Sequence, residues 1–192
     1  LGKSAGHTLE ILECIKYIKN DLKDHRLEKI TNELISSLLV NIYKISKEEA
    51  YNKINTVINN GLAAEKFEMM VAGLGGPKNI LSSYEKDLIN TSVRKDVFSS
   101  EEGWIEKIYT RELGLILIEL GGGRKQVTDK IDYGVGYDNV LNIGDEVNSS
   151  TPLLSLYSNK NIDDNLINKI KGCFIISDKK TQKLSEIFET IN

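Results

Sequence analysis

A run of three glycines followed by two basic residues is the first feature of the sequence that suggests chemistry. Gly121, Gly122 and Gly123 precede Arg124 and Lys125. A phosphate loop leads into the N-terminus of a helix, where free N–H groups and the positive end of the dipole face the anion. These glycines instead follow a helical pattern, so we interpret them as a flexible C-cap and turn. The alternative left open is a mobile loop that brings Arg124 and Lys125 to an active site built elsewhere.

Carboxylates and histidines are the next candidates. Glu10 and Glu13 are three residues apart and fall on roughly one helix face. They are either solvated or, with nearby carbonyls, part of an oxygen-rich cation site. The only histidines are His7 and His25, and neither has a second ligand at the spacing of a metal site. The sequence therefore supports neither a zinc site nor a catalytic triad centred on histidine.

A third pattern is typical of a small barrel. Gly144, Val147 and Leu153 have the spacing of a turn and a following strand, which also occurs in biotinyl and lipoyl carrier domains. Those carriers present a lysine at the tip of a hairpin, and we find no such tip here. We therefore expect the barrel without the swinging cofactor.

The secondary-structure elements that must position these residues change from helical to β-rich near residue 90. Before it, apolar residues recur at helical spacing in four helices: two through residues 11–22 and 27–42, one that begins with a capping box at Ser46, and one that ends at Gly73. After it, β-rich segments predominate. We predict strands at 93–98, 103–109, 131–133, 140–143, 153–157 and 173–176, and helices at 111–120 and 163–171. Because strands and helices are grouped, the second half is predicted to be α+β.

The composition of the chain indicates which classes of binding partner and which cellular compartment to expect. The 192 residues carry a formal net charge of −3, which gives no electrostatic reason to expect nucleic acid or an anionic membrane. The longest apolar run, residues 115–118, is too short to span a bilayer, and we expect no secretion signal. Cys14 and Cys173 lie outside any C-x-x-C motif, as expected of a reduced cytosolic protein. The chain begins at Leu1 without a methionine, so we expect either a processed start or a piece of a longer polypeptide.

Three segments, in order and spacing, resemble the thymidine (pyrimidine-nucleoside) phosphorylase family. Residues 1–13, LGKSAGHTLEILE, resemble the family segment that begins with LG and ends in LE-x-x-E. Residues 60–70, NGLAAEKFEMM, are similar to its helix with the pattern NG-x-A-x-x-x-F-x-x-M. The third match is LGGGR at 120–124, DKIDYGVG at 129–136 and GDEV at 144–147, which resembles the signature of the family's C-terminal domain.

The resemblance implies a fold and a reaction. The expected fold is α+β: residues 1–90 form the helical end of an α/β domain, and residues 91–192 form a small C-terminal α+β domain with a barrel-like sheet. The expected reaction is pyrimidine salvage by a pentosyltransferase, in which phosphate converts thymidine to thymine and 2-deoxyribose 1-phosphate. The family's phosphate and base ligands come from upstream sequence. No catalytic or substrate-binding residue is therefore assigned to this chain, which we expect to be inactive alone.

The resemblance also implies a cation site and partners. Some family members hold a monovalent cation, potassium or sodium, with backbone carbonyls and a carboxylate. The matching positions are Leu1 and Ser4, through their carbonyls, and Glu13, through its side chain. No other cofactor is expected. The full-length protein is expected to be a cytoplasmic homodimer. The competing hypothesis is a stand-alone, non-catalytic module of the same architecture that serves binding or regulation.

Overall fold

The computed structural model describes residues 2–88 and 91–189, except for the side chain of Asp87. Seven helices and six strands lie in these ranges. The helices are α1 (His7–Ile18), α2 (His25–Tyr43), α3 (Lys47–Asn59), α4 (Leu62–Gly73), α5 (Ile80–Leu88), α6 (Thr110–Leu120) and α7 (Asp164–Lys171). The strands are β1 (Val93–Val97), β2 (Gly103–Ile108), β3 (Gly136–Asp138), β4 (Glu146–Val147), β5 (Leu154–Ser158) and β6 (Phe174–Ser177). The predicted α+β class is therefore confirmed.

The described chain divides into two compact units. A helical unit contains residues 2, 11–88 and 186–189, and a sheet unit contains residues 3–10 and 91–185. The expected domains at 1–90 and 91–192 remain a prediction about the longer protein. No helix in the described ranges is long and apolar enough to cross a membrane.

Local sequence signals set the ends of the helices in the helical unit. The N-cap of the predicted capping box is confirmed at the start of α3, where the Ser46 hydroxyl accepts the Glu49 N–H at 3.1 Å. Helix α1 ends at Ile18, before the predicted Leu22, because Asn20 turns the chain with φ of 61°. Helix α5 was not predicted, because it has only nine residues and follows the helix-breaking Gly75-Gly76-Pro77 segment.

A small core holds the helical unit together. Tyr17 of α1 and Ile54 and Ile58 of α3 are buried in contact with one another. The Tyr17 hydroxyl donates a hydrogen bond to the Asn32 amide oxygen at 3.1 Å, so its polar end is satisfied where it is buried. Burial, with a smaller effect from Glu28, raises the pKa of Tyr17.

Two three-stranded antiparallel sheets form the framework of the sheet unit. One has the order β1-β5-β3 and the other the order β4-β2-β6. A single large core joins the sheets to α6 and α7, and each fully buried Leu or Ile in it contributes roughly 1.5–3 kcal/mol. Its fully enclosed members are Val97, Ile105, Val135, Leu154, Leu156 and Ile170.

Three expectations for the sheet unit are wrong in detail. The barrel-like sheet does not form among the described strands, because they are two to six residues long and divide into two separate sheets. The strands predicted at 131–133 and 140–143 are turns and irregular backbone. Backbone groups in and beside them bond outside any strand ladder: the Leu141 N–H donates to the Leu153 carbonyl, and the Val135 N–H to the Asp132 carbonyl. The short strands β3 and β4 lie just after the predicted positions.

Candidate functional site

Two of the family-like segments pair with each other in the sheet unit. Ala5 forms an antiparallel bridge with Tyr137, with N–H to carbonyl distances of 2.9 and 2.7 Å in the two directions. The Thr8 N–H donates to the Tyr133 carbonyl at 3.1 Å, and the Val140 N–H to the Lys3 carbonyl at 3.0 Å. Residues 3–5 therefore add a short extended segment beside the edge strand β3, and the first turn of α1 is joined to Tyr133 through Thr8.

Glycines make this approach possible. Gly6 has φ of 113°, a conformation that L side chains rarely adopt, and a Cβ there would lie 2.5 Å from the Val135 carbonyl oxygen. A Cβ on Gly136 would lie 2.6 Å from the Ala5 carbonyl oxygen. Gly6 and Gly136, one from each segment, must therefore both lack a side chain for this contact to form. The neighbouring His7 and Tyr133 rings meet edge to face at 5.2 Å.

The glycine run ends α6, as predicted. Gly121 is the C-cap in the left-handed region with φ of 107°, and the Gly122 N–H donates to the Leu117 carbonyl at 2.9 Å. The negative end of the helix dipole faces this turn. The positive charge of Lys160 lies at this negative end, where its ammonium donates to the Glu119 carbonyl at 3.0 Å. This lysine was missed because only the folded chain brings it to the helix end.

The turn after the glycines is closed by a carboxylate. Asp129 Oδ2 accepts the backbone N–H groups of Lys125 and Gln126, each at 2.9 Å. The Arg124 Nε donates to the Asp129 carbonyl at 3.1 Å, while the Arg124 and Lys125 side chains are exposed overall. An internal anion therefore uses the donors that a backbone phosphate site would need at this position, while the two cationic side chains face solvent.

A polar network ties this turn to the first sheet. The Asp132 N–H donates to the Gly121 carbonyl at 2.8 Å. The Asn159 amide donates to both carboxylate oxygens of Asp132, at 2.9 and 3.2 Å, and its oxygen accepts the Ser92 N–H at 2.8 Å. Asn159 follows β5, so the network fixes the segment after the glycines against the β1–β5 pair. Sequence reasoning missed Asn159, whose only signal was a polar residue after an apolar strand.

The three residues matched to the family's cation site have different surroundings. Leu1 lies outside the described residues. Glu13 is half-buried in the helical unit, and its carboxylate lies against Gly2, where an added Cβ would collide with it. Ser4 lies in the sheet unit, where its hydroxyl donates to the Asp138 carboxylate at 3.0 Å. Glu10, the other candidate carboxylate, instead accepts the Gly6 N–H at 2.8 Å at the start of α1.

Other candidate chemistry is absent from the part of the chain that is described. No group of three or more His, Cys, Asp and Glu side chains there could hold a metal ion. Cys14 is exposed. Cys173 is buried, its thiol donates to the Lys169 carbonyl at 3.3 Å, and burial raises its pKa. A thiol held in its neutral form is a poor nucleophile.

Comparisons with known proteins identify the family of this chain. Residues 104–177 match the model of the pyrimidine nucleoside phosphorylase C-terminal domain. Over 159 residues the chain is 38% identical to a thymidine phosphorylase of Colwellia psychrerythraea. The aligned region is 82% of this chain but only 36% of that relative. The chain carries the C-terminal domain of the pyrimidine nucleoside phosphorylase family.

Proposed function

We propose that the chain is the C-terminal part of a thymidine phosphorylase. The observation that carries this proposal is the 38% identity to a thymidine phosphorylase over 159 residues. The pairing of Ala5 with Tyr137 of β3 and the bond from the Thr8 N–H to the Tyr133 carbonyl support it, because two segments that resemble the family are in contact. In the full-length enzyme a phosphate oxygen would bond to C1′ of thymidine as the bond from C1′ to the base breaks. The departing base would take the electron pair and, overall, the proton that hydrogen phosphate gives up, so that thymine and 2-deoxyribose 1-phosphate form.

The residues of this chain would support that reaction rather than perform it. The full-length protein would act as a cytoplasmic homodimer on thymidine or another pyrimidine nucleoside and phosphate. The segment 121–125 would lie near the active site, with Arg124 and Lys125 available to a closing cleft. The anchoring of its backbone by Asp129 favours a positioned turn with exposed cationic side chains over a phosphate cradle.

A monovalent cation would bind at the start of the family-like segment. Glu13 would supply a carboxylate, and Leu1 and Ser4 their carbonyls, which are the hard oxygen donors that such an ion prefers. The position of the Glu13 carboxylate beside Gly2 supports this, because it brings an anionic group to the backbone next to Leu1.

Activity assays test the proposal directly. Thymine release from thymidine and phosphate is measured with the 192-residue chain and with a fusion in which the unaligned part of the Colwellia enzyme precedes it. We expect no turnover from the chain alone and measurable turnover from the fusion. Arg124→Ala in the fusion should reduce turnover without changing the melting temperature. Turnover by the isolated chain, or none by a folded fusion, would contradict the proposal.

One observation favours a second candidate, a stand-alone binding or regulatory module. The sheet unit has a large core of its own that includes both sheets, α6 and α7. Such a unit does not need a catalytic partner to bury its apolar residues. If the folded fusion is inactive while the isolated chain binds thymidine or phosphate, this candidate replaces the first.

A further inference from the structure

Helix α2 buries two polar side chains and leaves a ridge of large apolar side chains exposed. Its buried residues are Asn32 and Ser36, which are 7% and 0% exposed. Leu34, Leu38 and Ile42 are 62%, 60% and 66% exposed. These three residues, here called the α2 apolar face, are four residues apart and form one ridge on the side opposite Ser36. An amphipathic helix on the surface of a protein buries its apolar face. Leu39 of α2 packs on the core of the helical unit, but the α2 apolar face is left exposed.

The α2 apolar face continues into a larger apolar surface. Beside it on the helix are Ile35 and Tyr43, which line a cavity of about 780 Å³ together with Ile54 and Val57 of α3. Tyr43 is 65% exposed and Val57 39% exposed. Large contiguous apolar patches are uncommon on monomeric proteins and mark contact surfaces.

The charge pattern of α2 favours an apolar protein layer as the occupant. Residues 34–43 contain no charged side chain. A helix that binds a membrane surface carries Lys or Arg beside its apolar face, and this half of α2 carries none. The aligned region is only 36% of the thymidine phosphorylase relative, so a phosphorylase of that length has ample further polypeptide to cover the face.

We propose that the α2 apolar face is the docking surface for the part of the phosphorylase polypeptide that precedes this chain. The inference rests on the proposed function and adds the surface through which the two parts are joined. The covering layer presents apolar side chains to Leu34, Leu38 and Ile42 and turns the exposed helix into an interior one.

Cysteine accessibility tests this proposal. In a background with Cys14→Ser, which leaves only the buried Cys173, a cysteine is placed by Leu38→Cys or, as the matched control, by Ser37→Cys. Ser37 is exposed and adjacent in sequence but does not belong to the ridge. The rate of maleimide labelling is measured by mass spectrometry in the isolated chain and in the fusion. We expect similar rates for the two variants in the isolated chain. In the fusion, Leu38→Cys should label at least about tenfold more slowly, and Ser37→Cys should be little changed.

Several outcomes would overturn the proposal. One is equal labelling of Leu38→Cys in the fusion and the isolated chain; another is slowing of both variants together. Protection that grows with the concentration of the isolated chain would assign the face to a second copy. Protection by anionic lipid vesicles would assign it to a membrane. Activity separates this inference from the proposed function: an inactive fusion with protected Leu38→Cys contradicts only the function, and an active fusion with reactive Leu38→Cys contradicts only the docking.

Discussion

The Asp129 carboxylate lies against the backbone of Lys125, and its Oδ2 accepts the Lys125 N–H at 2.9 Å. The Gln126 N–H donates to the same oxygen. The three glycines before this turn allow many backbone conformations, so one side chain has a large part in deciding which of them is adopted. The order of the turn therefore depends on Asp129 more than on the glycines.

Removal of that carboxylate should loosen the turn without unfolding the protein. In Asp129→Ala, amide exchange at Lys125 and Gln126 should become about tenfold faster, because two hydrogen bonds to a charged acceptor are lost. The melting temperature should change little, since the turn is exposed. Thr128→Ala is the control, because it shortens the exposed side chain next to Asp129 and leaves the Asp129 carboxylate in place. Unchanged exchange at Lys125 would show that the turn is held by other contacts.

The contact between the two family-like segments should be sensitive to a single methyl group. Gly6→Ala forces a side chain into the left-handed region and against the Val135 carbonyl, and it should cost about 3 kcal/mol or more of unfolding free energy. Gly114→Ala is the matched control, since a Cβ there meets nothing within 4 Å inside α6. It should stabilise by roughly 0.5–1 kcal/mol through helix propensity. Denaturant melts measure both, and equal effects would contradict the close approach.

Sequence patterns predicted the local features of this fold better than its long-range contacts. The Ser46 cap, the Gly121 stop and the ends of β1 and β2 depend on neighbours along the chain, and they were predicted correctly or within a residue. The strands predicted at 131–133 and 140–143 were wrong. Val140, Leu141 and Ile143 pack against the core from irregular backbone, and Tyr133 is exposed.

The candidate site shows the same limit. The glycine turn could be located from its residues, but its anchors could not. Asn159 and Lys160 come from a loop after β5, and only the pairing of that strand with β1 and β3 brings them to Asp132 and to the end of α6. The stripe of Leu34, Leu38 and Ile42 was correctly assigned to a helix, yet no pattern within the chain could show which surface would cover it.

A second set of predictions concerns pH. Glu33 accepts hydrogen bonds from Lys47 at 2.8 Å and from the Tyr51 hydroxyl at 2.6 Å. These bonds lower the pKa of Glu33, chiefly through Lys47. Burial and the bond to Glu33 raise the pKa of Tyr51 to about 12. The raised Tyr51 pKa stabilises the fold fully below about pH 10, its unfolded value, and that stabilisation is lost as the pH rises towards about 12.

The Tyr51 effect can be measured by ultraviolet titration of tyrosinate. Glu33→Gln removes the negative charge beside the hydroxyl, so the pKa of Tyr51 should fall towards its ordinary value. Glu48→Gln, which removes an exposed charge at the start of α3, should leave it in place. At acid pH the effect comes from Glu33. Its lowered pKa stabilises the fold at pH values above the pKa of Glu33 in the unfolded chain, and this stabilisation is lost as the pH falls through the pKa of Glu33 in the folded protein. A Tyr51 titration that is the same in both variants would refute the coupling.

The last prediction concerns the cation. If Glu13 is a ligand in the longer enzyme, the melting temperature of the fusion should rise with potassium concentration, because an ion that binds only the folded state stabilises it by mass action. Glu13→Gln keeps the size of the side chain but removes its charge, so its melting temperature should be nearly flat over the same range. Choline chloride at matched ionic strength separates specific binding from screening, and Glu85→Gln, an exposed carboxylate on α5, controls for the loss of one negative charge. Parallel curves for Glu13→Gln and the parent would mean that the Glu13 carboxylate serves the local structure beside Gly2 and binds no ion.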